Sequence, residues 1–333
     1  MEISTVTHVI LTGGVGSRLW PLSRKTLPKQ YLELFDGESL FEKTVARNLN
    51  ISDKTIVVGN IENYKMSNDI MSKFEKPFTH IVEALPRNTA AAIAFAAFAS
   101  EPDDVLLITP SDHIIDGNDL YTNALKKAIA LANQDYLVTF GIKPTKPETG
   151  YGYIEFEDEN VIAFHEKPNL ETATTYLEKG NYFWNSGLFC FKASKFLAEL
   201  ASQEPEVYWA SKTAWEENKD GFLDYELSLN IPSISIDYAV MERSESIKVV
   251  PAQFEWSDLG SFESVYDYLV DKGHPIDANR NIVIGTSLHT TFIGVKNCIL
   301  IYTADALMVL QKENSQDVKQ VYQQLESIAS PLL

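Results

Sequence analysis

A few residues in this 333-residue chain have the types and spacing for phosphate chemistry. The apolar run Val9-Ile10-Leu11 stops at Thr12-Gly13-Gly14-Val15-Gly16. Glycines this dense let backbone N–H groups approach a ligand without Cβ interference. Consecutive amides in such a turn form a nest that suits phosphate oxygens. Arg18, Arg24, Lys25 and Lys29 follow, with no acidic residue between Val15 and Gln30. Pro21 and Pro28 keep this stretch from becoming one helix. The reading is a loop that wraps a polyphosphate. Glycines alone would equally suit a plain turn after a strand; the phased cations favour the phosphate loop. Two other phosphate loops are excluded. Gly16-Ser17-Arg18 lacks the Gly-Lys-Ser/Thr that closes a Walker loop. Leu19 stands where a dinucleotide fingerprint needs a small residue, so a nicotinamide dehydrogenase is disfavoured.

Composition narrows the partners. The chain is 45% hydrophobic and 22% charged, an ordinary globular balance. Its formal net charge of -18 argues against nucleic acid or an anionic membrane as partner. An acidic protein that binds polyphosphate must concentrate its cations locally, which sets residues 18–29 apart. Cys190 and Cys298 lie far apart and read as buried free thiols rather than a disulfide framework. The N-terminus shows no signal-peptide pattern, and no stretch of ~18 apolar residues exists to span a membrane. A cytoplasmic protein is expected.

The elements that must hold these residues alternate through the first half. Ser39-Leu40-Phe41-Glu42 is a capping-box pattern opening a helix to about Leu49. Strands are expected at 55–59, 80–83, 105–108 and 136–140, and helices at 62–74 and 119–133. Residues 90–99 are apolar on every face, so that helix is buried, and Asn88 or Thr89 suits its N-cap. Such alternation predicts a doubly wound, mostly parallel α/β sheet with its ligand at the carboxyl ends of the strands. The glycine loop and Asp112 both sit at such ends. In the second half, 149–154 and 161–164 read as antiparallel strands and 170–179 as a helix. Trp184-Asn185-Ser186-Gly187 reads as a turn into a strand that ends at Phe191. Helices follow at 193–200 and, with loops, across 205–230; residues 236–241 lead to a strand at 247–250. A short helix from Phe262 closes this part. From Asn281 on, β-type pieces at 282–284, 291–293, 299–301 and 306–310 suggest a small unit of stacked turns. Residues 315–325 carry the phase of a terminal helix. Two domains follow: 1–270, and 271–333 with the terminal helix.

The run GGVGSRLWPLSRKTLPKQ resembles the signature of sugar-phosphate nucleotidylyltransferases. Its Leu-Trp-Pro-Leu-Ser-Arg version is similar to that of the mannose-1-phosphate guanylyltransferases. Val15 and Ser111 stand where Ser or Ala, and Ala, are more usual. The resemblance extends to Ser315-Gln316-Asp317-Val318-Lys319. It implies a Rossmann-like nucleotidyltransferase domain followed by a short left-handed β-helix. Many members continue into a cupin-type phosphomannose isomerase domain; this chain ends before one, so a single activity is expected.

The expected reaction is GTP plus α-D-mannose 1-phosphate giving GDP-mannose and pyrophosphate. It needs cations to offset charge, alignment of two anions and a divalent metal; positioning supplies most of the rate. Asp112, in Pro110-Ser111-Asp112-His113, and Asp258, in Trp256-Ser257-Asp258-Leu259-Gly260, are the metal candidates. Mg²⁺ takes one or two carboxylates, with water and phosphate completing its shell. A lone aspartate after a strand is ordinarily a cap or turn residue; the resemblance makes both of them Mg²⁺ ligands. Lys29 is assigned to the α-phosphate and attacking oxygen, and Arg18 to the β- and γ-phosphates. Arg24 and Lys25 are less specific and could simply face water. The resemblance makes Lys167 a holder of the sugar phosphate, Glu166 an acceptor of sugar hydroxyls, and Gly152 and Asn185 sugar contacts. Gly152 could equally be a hairpin glycine and Asn185 a turn former. Gly13, Gly14 and Asn88 are candidate guanine readers, with Asn88 equally a helix cap. The partners expected are GTP, mannose 1-phosphate and GDP-mannose; a homodimer is one arrangement left open. Competing readings are a guanylyltransferase for another manno-configured sugar 1-phosphate and a non-catalytic nucleotide-sugar sensor of the same fold.

Overall fold

The computed structural model describes residues 4–34 and 37–333. In chain order it contains β1 (Val6–Thr12), α1 (Leu40–Asn48), β2 (Lys54–Asn60), α2 (Ile61–Met71), β3 (Phe78–Glu83), α3 (Asn88–Phe98) and β4 (Val105–Pro110). The short β5 (Ile114–Asp116), α4 (Asn118–Ala132), β6 (Leu137–Ile142), β7 (Tyr153–Glu157) and β8 (Asn160–His165) follow. Next come α5 (Leu170–Lys179), β9 (Tyr182–Lys192), α6 (Ala193–Gln203), α7 (Pro205–Glu216), α8 (Tyr225–Leu229), β10 (Ile247–Pro251) and β11 (Glu255–Ser257). The chain closes with α9 (Phe262–Asp271), β12 (Ile282–Ile284), β13 (Cys298–Tyr302), β14 (Leu307–Gln311) and α10 (Val318–Ser327).

Two compact units form, each from several chain segments. The first holds 1–13, 44–111 and 115–256. Its nine-stranded sheet has the order β3-β2-β1-β4-β9-β6-β10-β8-β7. Strands β1 to β4, β6, β7 and β10 point one way, and β8 and β9 run against them. The expected doubly wound, mostly parallel sheet is therefore present, with β9 inserted antiparallel between β4 and β6. α3 is buried from Ala90 to Ala97, as its unbroken apolar sequence requires. Methyl-sized side chains let α3 lie close to Val9, Ile56 and Leu106 of the sheet and to Phe196 and Val207 of α6 and α7. The other face packs Tyr121, Leu125 and Ala128 of α4 against Val105, Leu107, Val138 and Phe140.

The second unit holds 14–43, 112–114 and 257–333. Its core joins Leu19 and Trp20 from the glycine-rich segment, Phe262 and Tyr266 from α9, Ile282, Ile299 and Ile301 from the β tail, and Val318 and Tyr322 from α10. In the tail β12 pairs parallel and β14 antiparallel with β13.

Two expected elements differ, and one segment left unassigned takes an irregular form. Trp184-Asn185-Ser186-Gly187 is not a turn but lies inside β9. Between Thr139↔Phe189 and Gly141↔Asn185 the register shifts, so β9 carries two extra residues there. Gly187 at φ 71 and the Ser186 hydroxyl, which donates to the Phe140 carbonyl at 2.8 Å, absorb the bulge. Residues 291–293 are not a strand but irregular; Ile293 is 88% exposed, so its β-branched run had no face to pack. Residues 237–241 form a single π-helical turn, a form that sequence periodicity does not encode.

Candidate active site

The glycine loop and the two aspartates meet in the second unit. A pocket of about 490 Å³ is lined by Gly14, Gly16, Arg18, Lys29, Asp112 and Asp258. Gly14 at φ 84 and Gly16 at φ 75 hold left-handed backbone that side chains disfavour. Gly16 has a second reason to lack a side chain: a Cβ there would sit 2.5 Å from Lys29 Cβ. The closure is held by Lys29 N–H, which donates to the Val15 carbonyl at 3.1 Å, and by the Ser23 hydroxyl, which donates to the Gly16 carbonyl at 2.6 Å.

Lys29 is 4% exposed. Its ammonium donates to Asp112 Oδ2 at 2.7 Å and to the Asp258 backbone carbonyl. One cation thus fastens both metal candidates to one wall. Burial alone would raise the Asp112 carboxyl, but the Lys29 ammonium, with His113 beyond it, holds it below its ordinary range. It is ionised at neutral pH and available to a cation. Asp258 is fixed by its turn: Gly260 N–H donates to Asp258 Oδ1 at 3.1 Å, and a Cβ on Gly260 would come within 2.4 Å of Oδ2. Among the described residues no cluster of three or more His, Cys, Asp or Glu side chains could hold a metal. Two carboxylates beside a phosphate-sized space suit a hard cation that draws its remaining ligands from phosphate and water, so the donor set fits Mg²⁺.

Arg18 is exposed and lines the pocket. Arg24 does not face water. Its side chain is 12% exposed, pairs with Asp305 at 2.7 Å, lies 5.5 Å from the Trp20 ring centre and donates to the Leu332 carbonyl. Trp20 Nε1–H donates to the same carbonyl at 3.0 Å. Lys25 pairs with Glu326 of α10 at 2.8 Å, and Tyr322 and Glu326 form part of the pocket wall. Both basic residues therefore tie down the C-terminal segment. Sequence reasoning missed this because the partners are about three hundred positions away.

The remaining candidates belong to the first unit. Gly152 is buried on the approach to β7; a Cβ there would meet Glu166 Oε2 at 2.6 Å and Asn185 Cβ at 3.4 Å. Its carbonyl accepts from Asn185 N–H at 2.8 Å. The glycine thus serves close packing of Glu166 and Asn185 rather than a hairpin turn. Glu166 accepts from the Lys167 ammonium; Lys167 has left-handed backbone at φ 45, and its side chain is 61% exposed. Asn185 Nδ2–H donates to Asp237 Oδ1 at 3.0 Å, a partner that sequence reasoning missed. A lone carboxylate in the apolar run Ile234-Ser235-Ile236-Asp237-Tyr238-Ala239-Val240-Met241 was the available signal. Asn88 is exposed at φ 70, and its Oδ1 accepts from Thr89 N–H at 2.8 Å. Thr89 Oγ1 in turn accepts from Ile236 N–H at 2.9 Å. Gly13 is exposed at the end of β1.

Glu83, at the end of β3, is a buried carboxyl that the sequence did not single out. It is 6% exposed, Oε1 has no hydrogen-bond partner, and burial pushes its carboxyl up to about 7. Among the described residues no helix is long and apolar enough to cross a membrane.

Comparison with known proteins identifies the family. The nucleotidyl transferase family model matches residues 7–272, and a mannose-phosphate isomerase/GMP-like β-helix domain model matches residues 275–325. The xanthan biosynthesis protein XanB of Xanthomonas campestris pv. campestris (strain B100) is 40% identical over 98% of this chain and 74% of its own. The mannose-1-phosphate guanylyltransferase RfbM of Salmonella typhimurium (strain LT2) is 38% identical over 96% of this chain and 72% of its own. A crystal structure described as mannose-1-phosphate geranyltransferase, from Thermus thermophilus, superposes with TM-score 0.84 at 28% identity, covering 97% of this chain and 99% of that one. With its glycine loop, its paired aspartates and these matches along nearly its whole length, the chain belongs to the nucleotidyl transferase family, in the mannose-1-phosphate guanylyltransferase group, and is a nucleotidyltransferase.

Proposed function

We propose that the protein transfers GMP from GTP to α-D-mannose 1-phosphate, giving GDP-mannose and pyrophosphate, as a cytoplasmic enzyme. The observation that carries this reading is Lys29, buried in a glycine-lined pocket and held between Asp112 and Asp258. A phosphate oxygen of the sugar phosphate attacks the α-phosphorus. The bond from that phosphorus to the bridging oxygen breaks, and pyrophosphate leaves with the electron pair. The attacking oxygen is already ionised, so no protein base is required.

In this mechanism Lys29 sits at the α-phosphate and Arg18 takes the oxygens of the departing pyrophosphate, where an arginine can bind bidentately. The amides of Gly14 and Gly16 cradle phosphate oxygens. Asp112 and Asp258 would hold Mg²⁺, which supplies charge neutralisation across the phosphates when bound. Lys167 takes the sugar phosphate, while Glu166, Asn185 and the Gly152 backbone take sugar hydroxyls. Gly13 and Asn88 are assigned to guanine. The division of labour proposed along the chain is catalysis in 1–270 and a structural β-rich domain in 271–333.

Pyrophosphate release with GTP, mannose 1-phosphate and Mg²⁺ tests the reading, alongside Asp258→Ala. The expected result is turnover in the parent and a loss of at least about a hundredfold in the variant. Equal turnover removes Asp258 from the mechanism. A parent that binds GDP-mannose without releasing pyrophosphate is the non-catalytic sensor. Faster turnover on another manno-configured sugar 1-phosphate changes the substrate and keeps the chemistry.

A further inference from the structure

We propose that Asp237 is a positioning residue of the sugar subsite, fixing the amide of Asn185 so that it offers a single N–H donor to the sugar phosphate substrate. The inference rests on the functional reading above.

The hydrogen bonds around Asn185 determine what it can still do. Its Oδ1 accepts from Gly187 N–H at 3.0 Å and from the Thr139 hydroxyl at 3.4 Å. The Thr139 hydroxyl lies equally far, at 3.4 Å, from the Leu188 carbonyl and shares its one proton, so the Gly187 bond is what fixes Oδ1 as the accepting atom. One N–H of Nδ2 goes to Asp237 Oδ1 at 3.0 Å, which leaves one. An isolated asparagine can flip its amide and serve as donor or acceptor. Here a flip would set Nδ2 against Gly187 N–H and Oδ1 against a carboxylate, losing the Gly187 and Asp237 bonds and opposing like partners. Asp237 thus converts an ambiguous side chain into a donor of defined direction, matched to a hydroxyl or phosphate oxygen.

The backbone around Asp237 supports a dedicated role. It opens the π-helical turn 237–241, in which Glu242 N–H donates to the Asp237 carbonyl at 2.8 Å. A π-turn is rare and frequently sits at a functional site. Asp237 is only partly buried. The charged groups facing it are Glu166 and Lys167, both assigned to the sugar phosphate; burial first, then Glu166, pushes the Asp237 carboxyl up to about 6. What Asp237 contributes there is an acceptor oxygen, 3.0 Å from Asn185 Nδ2.

The test is steady-state kinetics of the full chain with GTP and mannose 1-phosphate on Asp237→Ala, Asp237→Asn, Asn185→Ala and the Asn185→Ala/Asp237→Ala double variant. Asp237→Ala should raise KM for mannose 1-phosphate about tenfold, the equivalent of one lost oriented hydrogen bond, with KM for GTP within about twofold. Asp237→Asn keeps an acceptor oxygen and should restore KM to within about threefold of the parent. The double variant should be no worse than Asn185→Ala, because Asp237 acts only through Asn185. Additive losses, or a GTP KM that rises in step, overturn the positioning role. So does an Asp237→Asn variant as impaired as Asp237→Ala. A parent silent with mannose 1-phosphate overturns the functional reading itself; an active parent with an unaffected Asp237→Ala overturns this inference alone.

Discussion

Replacing Gly16 by alanine tests the site through one methyl group. Gly16 has φ 75 and ψ 44, and an L-residue in that region costs about 1–2 kcal/mol. The new Cβ would lie 2.5 Å from Lys29 Cβ and 3.3 Å from its Cγ and Cδ. The obstacle is the buried root of a side chain whose far end is tied to Asp112 and Asp258, so it cannot swing aside. Forcing extra volume into packed surroundings adds about 1–3 kcal/mol, for a total of roughly 2–5 kcal/mol. Gly14→Ala is the control. Gly14 has φ 84, but a methyl group there would meet nothing within 4 Å, so it incurs the backbone cost of about 1–2 kcal/mol alone. Thermal melts should rank Gly14→Ala below the parent and Gly16→Ala lower again. Turnover measured by pyrophosphate release should fall about a hundredfold in Gly16→Ala, because a shift of about 1 Å in the Lys29 ammonium spoils alignment. If Gly16→Ala melts with Gly14→Ala and keeps parental turnover, the close approach of Gly16 to Lys29 is not what shapes the pocket.

Arg24→Ala should lower the melting midpoint by several degrees, since a mostly buried guanidinium loses Asp305, the Trp20 face and the Leu332 carbonyl together. Lys25→Ala, whose side chain is exposed where it pairs with Glu326, should move it by a degree or less; equal shifts would refute the assignment of Arg24 as a clamp. Deleting the residues after Gly273 removes Ile282, Ile299, Ile301, Val318 and Tyr322 from the core that holds Leu19 and Trp20. The truncated chain should bind a hydrophobic dye and lose turnover, and a well-behaved active truncation would contradict this. His8 is 1% exposed, shares a 2.8 Å hydrogen bond with Thr109 Oγ1, and is lowered to about 3 by burial and then by Arg47. Its unfolded form takes up a proton at about pH 6.5, so stability is full above that and lost as pH falls towards 3, by about 2 kcal/mol at about pH 5. The drop in melting midpoint from about pH 7 to about pH 5 should shrink in His8→Gln, and an unchanged drop would remove His8 as its source.

The glycine loop and its cations could be read as one unit because they are close in sequence. Gly13 to Lys29 is one continuous stretch whose glycines, prolines and cations each have a local physical meaning. Alternating apolar runs gave the sheet, and the all-apolar 90–99 gave the buried helix, because burial on every face leaves no polar residue in the pattern. Legibility failed where partners are remote or backbone is irregular. The segment Trp184-Asn185-Ser186-Gly187 read as a turn because a bulge in β9 has the same small polar residues as a turn. Asp237 was passed over because a π-turn has no periodic signature. The role of Arg24 stayed open, with a water-facing charge as one alternative, because its partners, Asp305 and Leu332, lie at the other end of the chain.

By itself, the sequence determined the glycine-rich loop with its cations and the strand–helix alternation, since each depends on local chain chemistry or on a period of a few residues; Asp112 and Asp258 were singled out only through the family resemblance. Only the tertiary structure decided that Lys29 bridges Asp112 to Asp258, that Gly16 must lack a side chain for Lys29 to lie there, and that the Asn185 amide is oriented between Gly187 N–H and Asp237. Those facts are distances between groups far apart along the chain, and a distance is fixed by how the whole core packs rather than by any one segment.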